Sequence, residues 1–298
     1  LFSVSLRRLF RMGSALFVMC FFLPMGPDAF AASDREDDDF FSGFEKRATA
    51  TQSRQPGWSV PLLAPHSGLI QSFRQDFTRQ VTTSTTAANG TRTWNYGAGK
   101  GFNFIPLPNT QVDINVPHYL DRSTGLKDGF GDFSFGVKYR VFTANEKKGN
   151  YSAMVGIAAS FPTGSYDNGA THAVITPNVA VGKGWGRFDV QSSATVALPV
   201  DNTVKLGRHV AWHNLVQWHV GKYFWPEIEN STTFFRGGSN DGRVQNFILP
   251  GVMVSKIKFR PKDPKSRLGL ALGGGMQFAT THFHTYDHTP VFSVRFAF

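Results

Sequence analysis

Thr281-His282-Phe283-His284-Thr285-Tyr286-Asp287-His288 places three imidazoles and a carboxylate in one short stretch. Imidazole nitrogen and carboxylate oxygen suit Zn²⁺ or Cu²⁺, so His282, His284 and His288 with Asp287 form a candidate metal set. A solvated histidine-rich loop is the plainer reading, and no cofactor is expected. His213, Gln217 and His219 fall at alternate positions, interleaved with Trp212, Val216 and Trp218. A serine on a neighbouring strand, such as Ser231, would pair a nucleophile with a histidine base, as a lipid hydrolase requires. That chemistry needs the two in contact and a third group orienting the base. The His–Ser motif of such enzymes is not found here, and an enzyme is not expected. The remaining candidates are single charges spread along the chain: Arg74, Asp76, Asp113, Asp132, Lys138, Arg140, Asp189, Glu229 and Arg295. Facing water in rings, with His213 and His219, they would tune ion selectivity; paired across a narrow space, they would close it.

What positions these residues is a two-residue period. Val291–Phe298 alternates strictly, with Phe292, Val294, Phe296 and Phe298 on one face and Ser293, Arg295 and Ala297 on the other. Successive strand side chains point to opposite faces, so the segment is apolar on one side and polar or small on the other. In Gly131–Phe142, Phe133, Phe135, Val137, Tyr139 and Val141 oppose Asp132, Ser134, Lys138 and Arg140. Similar segments recur at 69–81, 93–105, 112–116, 151–161, 173–181, 188–198, 210–221, 228–235, 244–256 and 268–278, about twelve in all. An even number of strands, each with one uncharged face and roughly ten residues long, fits an all-β transmembrane antiparallel barrel of up-and-down topology. Tight turns at 106–110, 182–186 and 222–226 alternate with longer connections at 117–130, 162–171, 199–208 and 279–290, as periplasmic turns and outer loops do. The basic connection at 258–267 fits that scheme less well. Aromatic residues such as Trp94, Tyr139, Trp185 and Trp225 recur near strand ends, where interfacial girdles would hold them.

Residues 1–32 read as an export signal. Arg7, Arg8 and Arg11 precede an apolar run over 12–25, and Ala29-Phe30-Ala31-Ala32 offers small residues for cleavage. The run is short of the roughly 20 residues of a spanning helix. Cys20, the single cysteine, lies inside it, so the mature chain has no disulfide and no thiolate chemistry. Removing Arg7, Arg8, Arg11 and Asp28 lowers the formal charge from +10 to +8. Lys and Arg are scattered apart from a run over 256–267, so nucleic acid is not an expected partner. Residues 33–66 combine the acidic run Asp34–Asp39, the aromatics Phe40, Phe41, Phe44 and Trp58, and several prolines. They are expected to form a periplasmic extension without helix or interior strand, a candidate plug for the barrel of residues 67–298. Gly269, Ala271, Gly273 and Gly275 share one strand face and would leave room for it.

Phe292, Phe296 and Phe298 resemble the closing strand of outer-membrane barrels, which the barrel-assembly machinery reads. Gly57-Trp58-Ser59-Val60-Pro61-Leu62, Leu69-Ile70-Gln71-Ser72-Phe73-Arg74-Gln75-Asp76, the segment Gly131–Arg140 and Ser160-Phe161-Pro162-Thr163-Gly164 carry a wider likeness. They resemble the family of outer-membrane transporters named after the meta-pathway of phenol degradation, over most of residues 57–298. The resemblance implies a cell outer-membrane barrel, bounded by lipid and lipopolysaccharide, that passes small hydrophobic or aromatic solutes; it carries over no functional residues. Passive passage is therefore the expected function. A structural or adhesive barrel blocked by residues 40–65 is its rival, and a lipid hydrolase comes third.

Overall fold

A computed structural model describes residues 40–83, 90–123, 126–263 and 266–298. The export signal and the acidic run lie outside the described residues. Residues 1–43 and 44–298 are separate compact units, and every contact below lies within the second.

Alternation becomes a sheet in chain order: β1 (Ser72–Thr82), β2 (Thr91–Tyr96), β3 (Gly101–Leu107), β4 (Thr110–Asn115), β5 (Tyr119–Arg122), β6 (Gly129–Phe130), β7 (Phe133–Ala144) and β8 (Tyr151–Phe161). It continues through β9 (Val174–Trp185), β10 (Phe188–Pro199), β11 (Arg208–Trp218), β12 (Phe224–Arg236), β13 (Val244–Lys258), β14 (Gly269–Ala279) and β15 (His288–Ala297). All pairings are antiparallel, and β1 pairs with β15 from Ser72↔Ala297 to Val81↔His288, closing the ring. Both β2 and β3 pair with β1, through Phe77↔Tyr96 and Arg74↔Gly101, so they are two parts of one wall strand broken at 97–100. In the same way β4 continues into β5 and β6 into β7. The fifteen strands thus fill twelve wall positions, the number that alternation predicts. Across the break, Gly131 N donates to His118 O at 2.8 Å.

The faces fall as the period requires. Val155, Ile157, Trp212, Val216, Ile228, Phe292 and Phe296 are exposed on the outside, while Asp76, Gln191, Gln217, Glu227, Glu229 and Arg295 are buried inside. This is the inversion a membrane barrel needs. The outer face also carries Ser192, Asn214, Asn230, Thr232 and Asn246. These mostly bond one another, as in Asn246 Nδ2 to Thr232 Oγ1 at 2.7 Å and Asn230 Nδ2 to Asn246 Oδ1 at 3.1 Å. Mutual pairing spares bare amides from hydrocarbon. Val155 is 45% exposed on the outer face, so Val155→Arg is expected to lose about 2–4 kcal/mol at the midplane. Ser134→Arg, pointing inward, should lose far less. Equal urea-unfolding midpoints for the two in lipid vesicles would refute the facing assignment.

Two expectations need correction. Helix α1 (Phe40–Gln52) occupies part of the segment predicted to lack helix. The prolines used against it begin only at Pro56, and Glu45–Gln52 is an uninterrupted run in which Ala48 is buried. The first strand, read as starting at residue 69, begins only at Ser72, and Leu69 is buried with Ala48 and Ile105.

Candidate functional site

Between α1 and β1 the chain carries Pro56, Pro61 and Pro65, which cannot donate to a sheet ladder. It runs through the lumen, where its backbone groups need partners. Inward side chains of the wall supply them. Glu229 accepts from Leu63 N at 2.9 and 3.1 Å and from Ala64 N at 2.7 Å, and Glu227 accepts from Leu62 N at 2.9 Å. The carbonyls of the same stretch meet cations. Arg295 donates to Val60 O at 2.7 Å, Pro61 O at 2.5 Å and Leu62 O at 3.3 Å, and Arg74 also reaches Leu62 O. The peptide dipoles at 60–64 therefore lie between carboxylates on β12 and guanidiniums on β1 and β15. Asp76 holds the two cations in place: it pairs with Arg74 at 2.5 Å and accepts from Ser293 Oγ at 2.6 Å, which in turn accepts from Arg295 Nε at 3.0 Å.

Further along, Gln191 Oε1 accepts from Ser67 N at 3.1 Å and lies 3.0 Å from His66 Nδ1, while Ser152 Oγ donates to Ser67 O at 2.8 Å. Burial pushes the His66 imidazole down to about 3, so this contact involves a neutral ring. Gln111 Oε1 accepts from Ile70 N at 2.6 Å. Nearer α1, Arg140 donates to Thr51 O at 2.7 Å and to Gln55 Oε1 at 3.1 Å. Leu62 packs with Leu249 and Met253, and a Cβ added at Gly251 or Gly273 would come within 2.5 or 2.7 Å of its methyls. The small-residue face thus receives the segment. Trp58 lies over Gly182 in the same way, at 2.5 Å from an added Cβ.

Arg74, Asp76, Glu229 and Arg295 converge on the segment, and Arg140 pins its approach. Lys138 instead pairs with Asp113 at 3.0 Å on the wall. Asp132 does not line the lumen: it sits in the break before β7 and accepts from Gly164 N at 2.9 Å and Ala170 N at 2.7 Å, tying down the loop between β8 and β9. His213 stands in register between Ser193 and Ser231. Asp189 and His219 lie at one end of the barrel, beside the turns between β9 and β10 and between β11 and β12. The three loop histidines are not brought together, and among the described residues no metal-binding group of three or more such ligands forms. His284 uses both ring nitrogens, on Thr281 O at 2.7 Å and Asp287 at 3.0 Å, and His288 is drawn into β15 opposite Phe278. Glu227, Gln111, Ser152 and Gln191 were missed. The signal for Glu227 was its two-residue spacing from Glu229, which places both on one face.

A family model described as "Putative MetA-pathway of phenol degradation" matches residues 74–281. The chain belongs to this family. The match spans most of the wall, starting at Arg74, which puts the lumen segment before the family region. An outer-membrane channel from Pseudomonas putida F1 shares the fold with a TM-score of 0.53 and 12% identity, over 80% of this chain and all (100%) of that one. The NanC porin gives a TM-score of 0.45 and 8% identity, over 75% of this chain and 98% of the porin. No curated protein matches the sequence. The family resemblance and the twelve-stranded barrel read from the sequence both hold.

Proposed function

We propose that this family member is an outer-membrane channel for passive passage of small hydrophobic or aromatic solutes, throttled by its own residues 53–71. One observation carries the reading: the lumen is filled by a chain segment that no sheet pairing holds. Side chains on β1, β12 and β15 grip its backbone through hydrogen bonds. A structural or adhesive barrel blocked by the same segment is the rival reading, and release of the segment separates the two. The description of the family supports aromatic solutes, and neither binding nor passage needs a cofactor or bond-making chemistry.

Planar-bilayer recording of the full chain and of a form lacking residues 40–66 tests this. The truncation is expected to fold, shown by heat-modifiable migration, and to conduct more strongly. Equal conductance in a folded truncation would remove the throttling role. Silence in both forms would favour the structural or adhesive barrel.

A further inference from the structure

Two arginines stand side by side where β11 begins and β12 ends, Arg208 opposite Arg236 in register. Both are exposed and point outward, sharing the parity of Trp212 and Ile228 on the outer face. Like charges directly opposite on a sheet face repel, so the pair is destabilising unless an anion joins it. Among the described residues neither guanidinium has a hydrogen-bond or carboxylate partner. The carboxylates of the two adjoining loops turn to backbone instead: Asp201 accepts from Asn202 N at 2.6 Å and Asp241 from Gly237 N at 2.7 Å. Those loops meet backbone to backbone behind the pair. A Cβ added at Gly207 would lie 2.4 Å from Gly237 O, and the two glycines hold φ of 70° and 74°. An open cavity of about 270 Å³ is lined by Thr203, Val204, Arg208, Arg236 and Gly237. Val204 is 89% exposed, and Val200 and Leu206 on the same loop are exposed as well. Free cations beside bare aliphatic groups suit an anionic head that carries acyl chains.

Depth along the wall narrows the amphiphile. The outer face of β11 runs from Arg208 through Val210 and Val216 to Trp218, which stacks on Phe188 with centroids 5.5 Å apart. The ten steps from Arg208 to Trp218 span roughly 33 Å of strand. At the usual tilt that is about 25 Å along the axis, the height of an apolar band. With the Phe188–Trp218 pair at one margin of the band, the arginines lie at the other, level with lipid headgroups. They stand at the end away from Phe298. Connections at this end (83–90, 162–173, 200–207, 237–243 and 280–287) are longer than most at the other (108–109, 145–150, 186–187 and 219–223). Longer connections mark the outer side of single-chain bacterial barrels, where the leaflet is lipopolysaccharide. We propose that Arg208 and Arg236 bind a phosphate of lipid A, with its acyl chains against Val204 and the apolar wall below. Guanidiniums present the planar donors that a phosphate takes in bidentate fashion. The site lies outside the lumen, so its test is independent of passage through the barrel.

The test is native mass spectrometry of the full chain in detergent, titrated with three lipids: diphosphoryl lipid A, the same lipid A stripped of phosphate, and phosphatidylglycerol. Diphosphoryl lipid A is expected to bind saturably. The stripped form, and the singly charged diester of phosphatidylglycerol, should each bind about tenfold more weakly as charge-assisted hydrogen bonds are lost. Arg208→Gln and Arg236→Gln together should weaken diphosphoryl lipid A about tenfold and leave the stripped form unchanged. Arg92→Gln is the control: Arg92 is an exposed arginine on β2 at the same end, and its loss should change nothing. If the double variant does not fold, the comparison of lipid A with its stripped form on the native chain decides. Equal affinity with and without phosphate, equal affinity for phosphatidylglycerol, or an equal loss in Arg92→Gln would overturn the proposal.

Discussion

Replacing Glu227 and Glu229 together by alanine is expected to open the barrel. The two carboxylates accept from the N–H groups of Leu62, Leu63 and Ala64. Each buried N–H left without an acceptor costs about 1–3 kcal/mol, or roughly 3–9 kcal/mol for the three. Moving a two-state equilibrium from 99:1 to 1:99 takes about 5.5 kcal/mol. The substitution is therefore large enough to turn a seated segment into a mostly unseated one. Glutamine at both positions keeps one carbonyl acceptor on each side chain and should largely preserve the closed state. Single-channel conductance reads the change directly. A cysteine at Leu63, on a background without Cys20, gives a second readout: it should be labelled by a membrane-impermeant thiol reagent in the double-alanine form and protected in the parent. Unchanged conductance and unchanged labelling would show that these carboxylates do not hold the segment.

Arg295→Leu should destabilise the folded barrel by about 3–5 kcal/mol, the usual loss when one member of a buried charged network is removed. Its guanidinium is 4% exposed and donates to three backbone carbonyls of the segment and to Ser293 Oγ. Lysine is not expected to rescue it, because a single ammonium cannot span the set of acceptors that a planar fork reaches. The denaturation midpoint of the heat-modifiable form measures this, and the penalty should shrink in a chain lacking residues 40–66. A lysine variant as stable as the parent would refute the role assigned to the fork.

Most of the barrel was legible because its signal is local. Phe133, Phe135, Val137, Tyr139 and Val141 against Ser134, Lys138 and Arg140 require only a period of two, and membrane burial enforces that period on nearly every strand. Two of the breaks in the wall, at 97–100 and 131–132, fall inside segments whose alternation reads as continuous, and the short pieces β5 and β6 lie in a stretch read as a connection. The site was less legible. Arg74, Asp76, Glu229 and Arg295 could be placed on the inner face, but their common target could not, since it lies in a segment whose conformation is set by the wall rather than by its own sequence. Amides such as Gln111 and Gln191 carry no charge to mark them. The loop histidines misled for the opposite reason: closeness in sequence does not bring imidazoles together when one of them is pulled into a strand.

The grip on the lumen segment is split across the closing seam. Arg74 and Asp76 stand on β1, Ser293 and Arg295 on β15, and these two strands meet only when the ring shuts. Until then the segment can be held from one side, by Glu227 and Glu229, with its carbonyls still facing water. Ring closure during biogenesis and sealing of the interior are in this way one cooperative event. The ring closes and its interior fills in the same step, so a closed barrel with an empty lumen need not form on the way to the folded state.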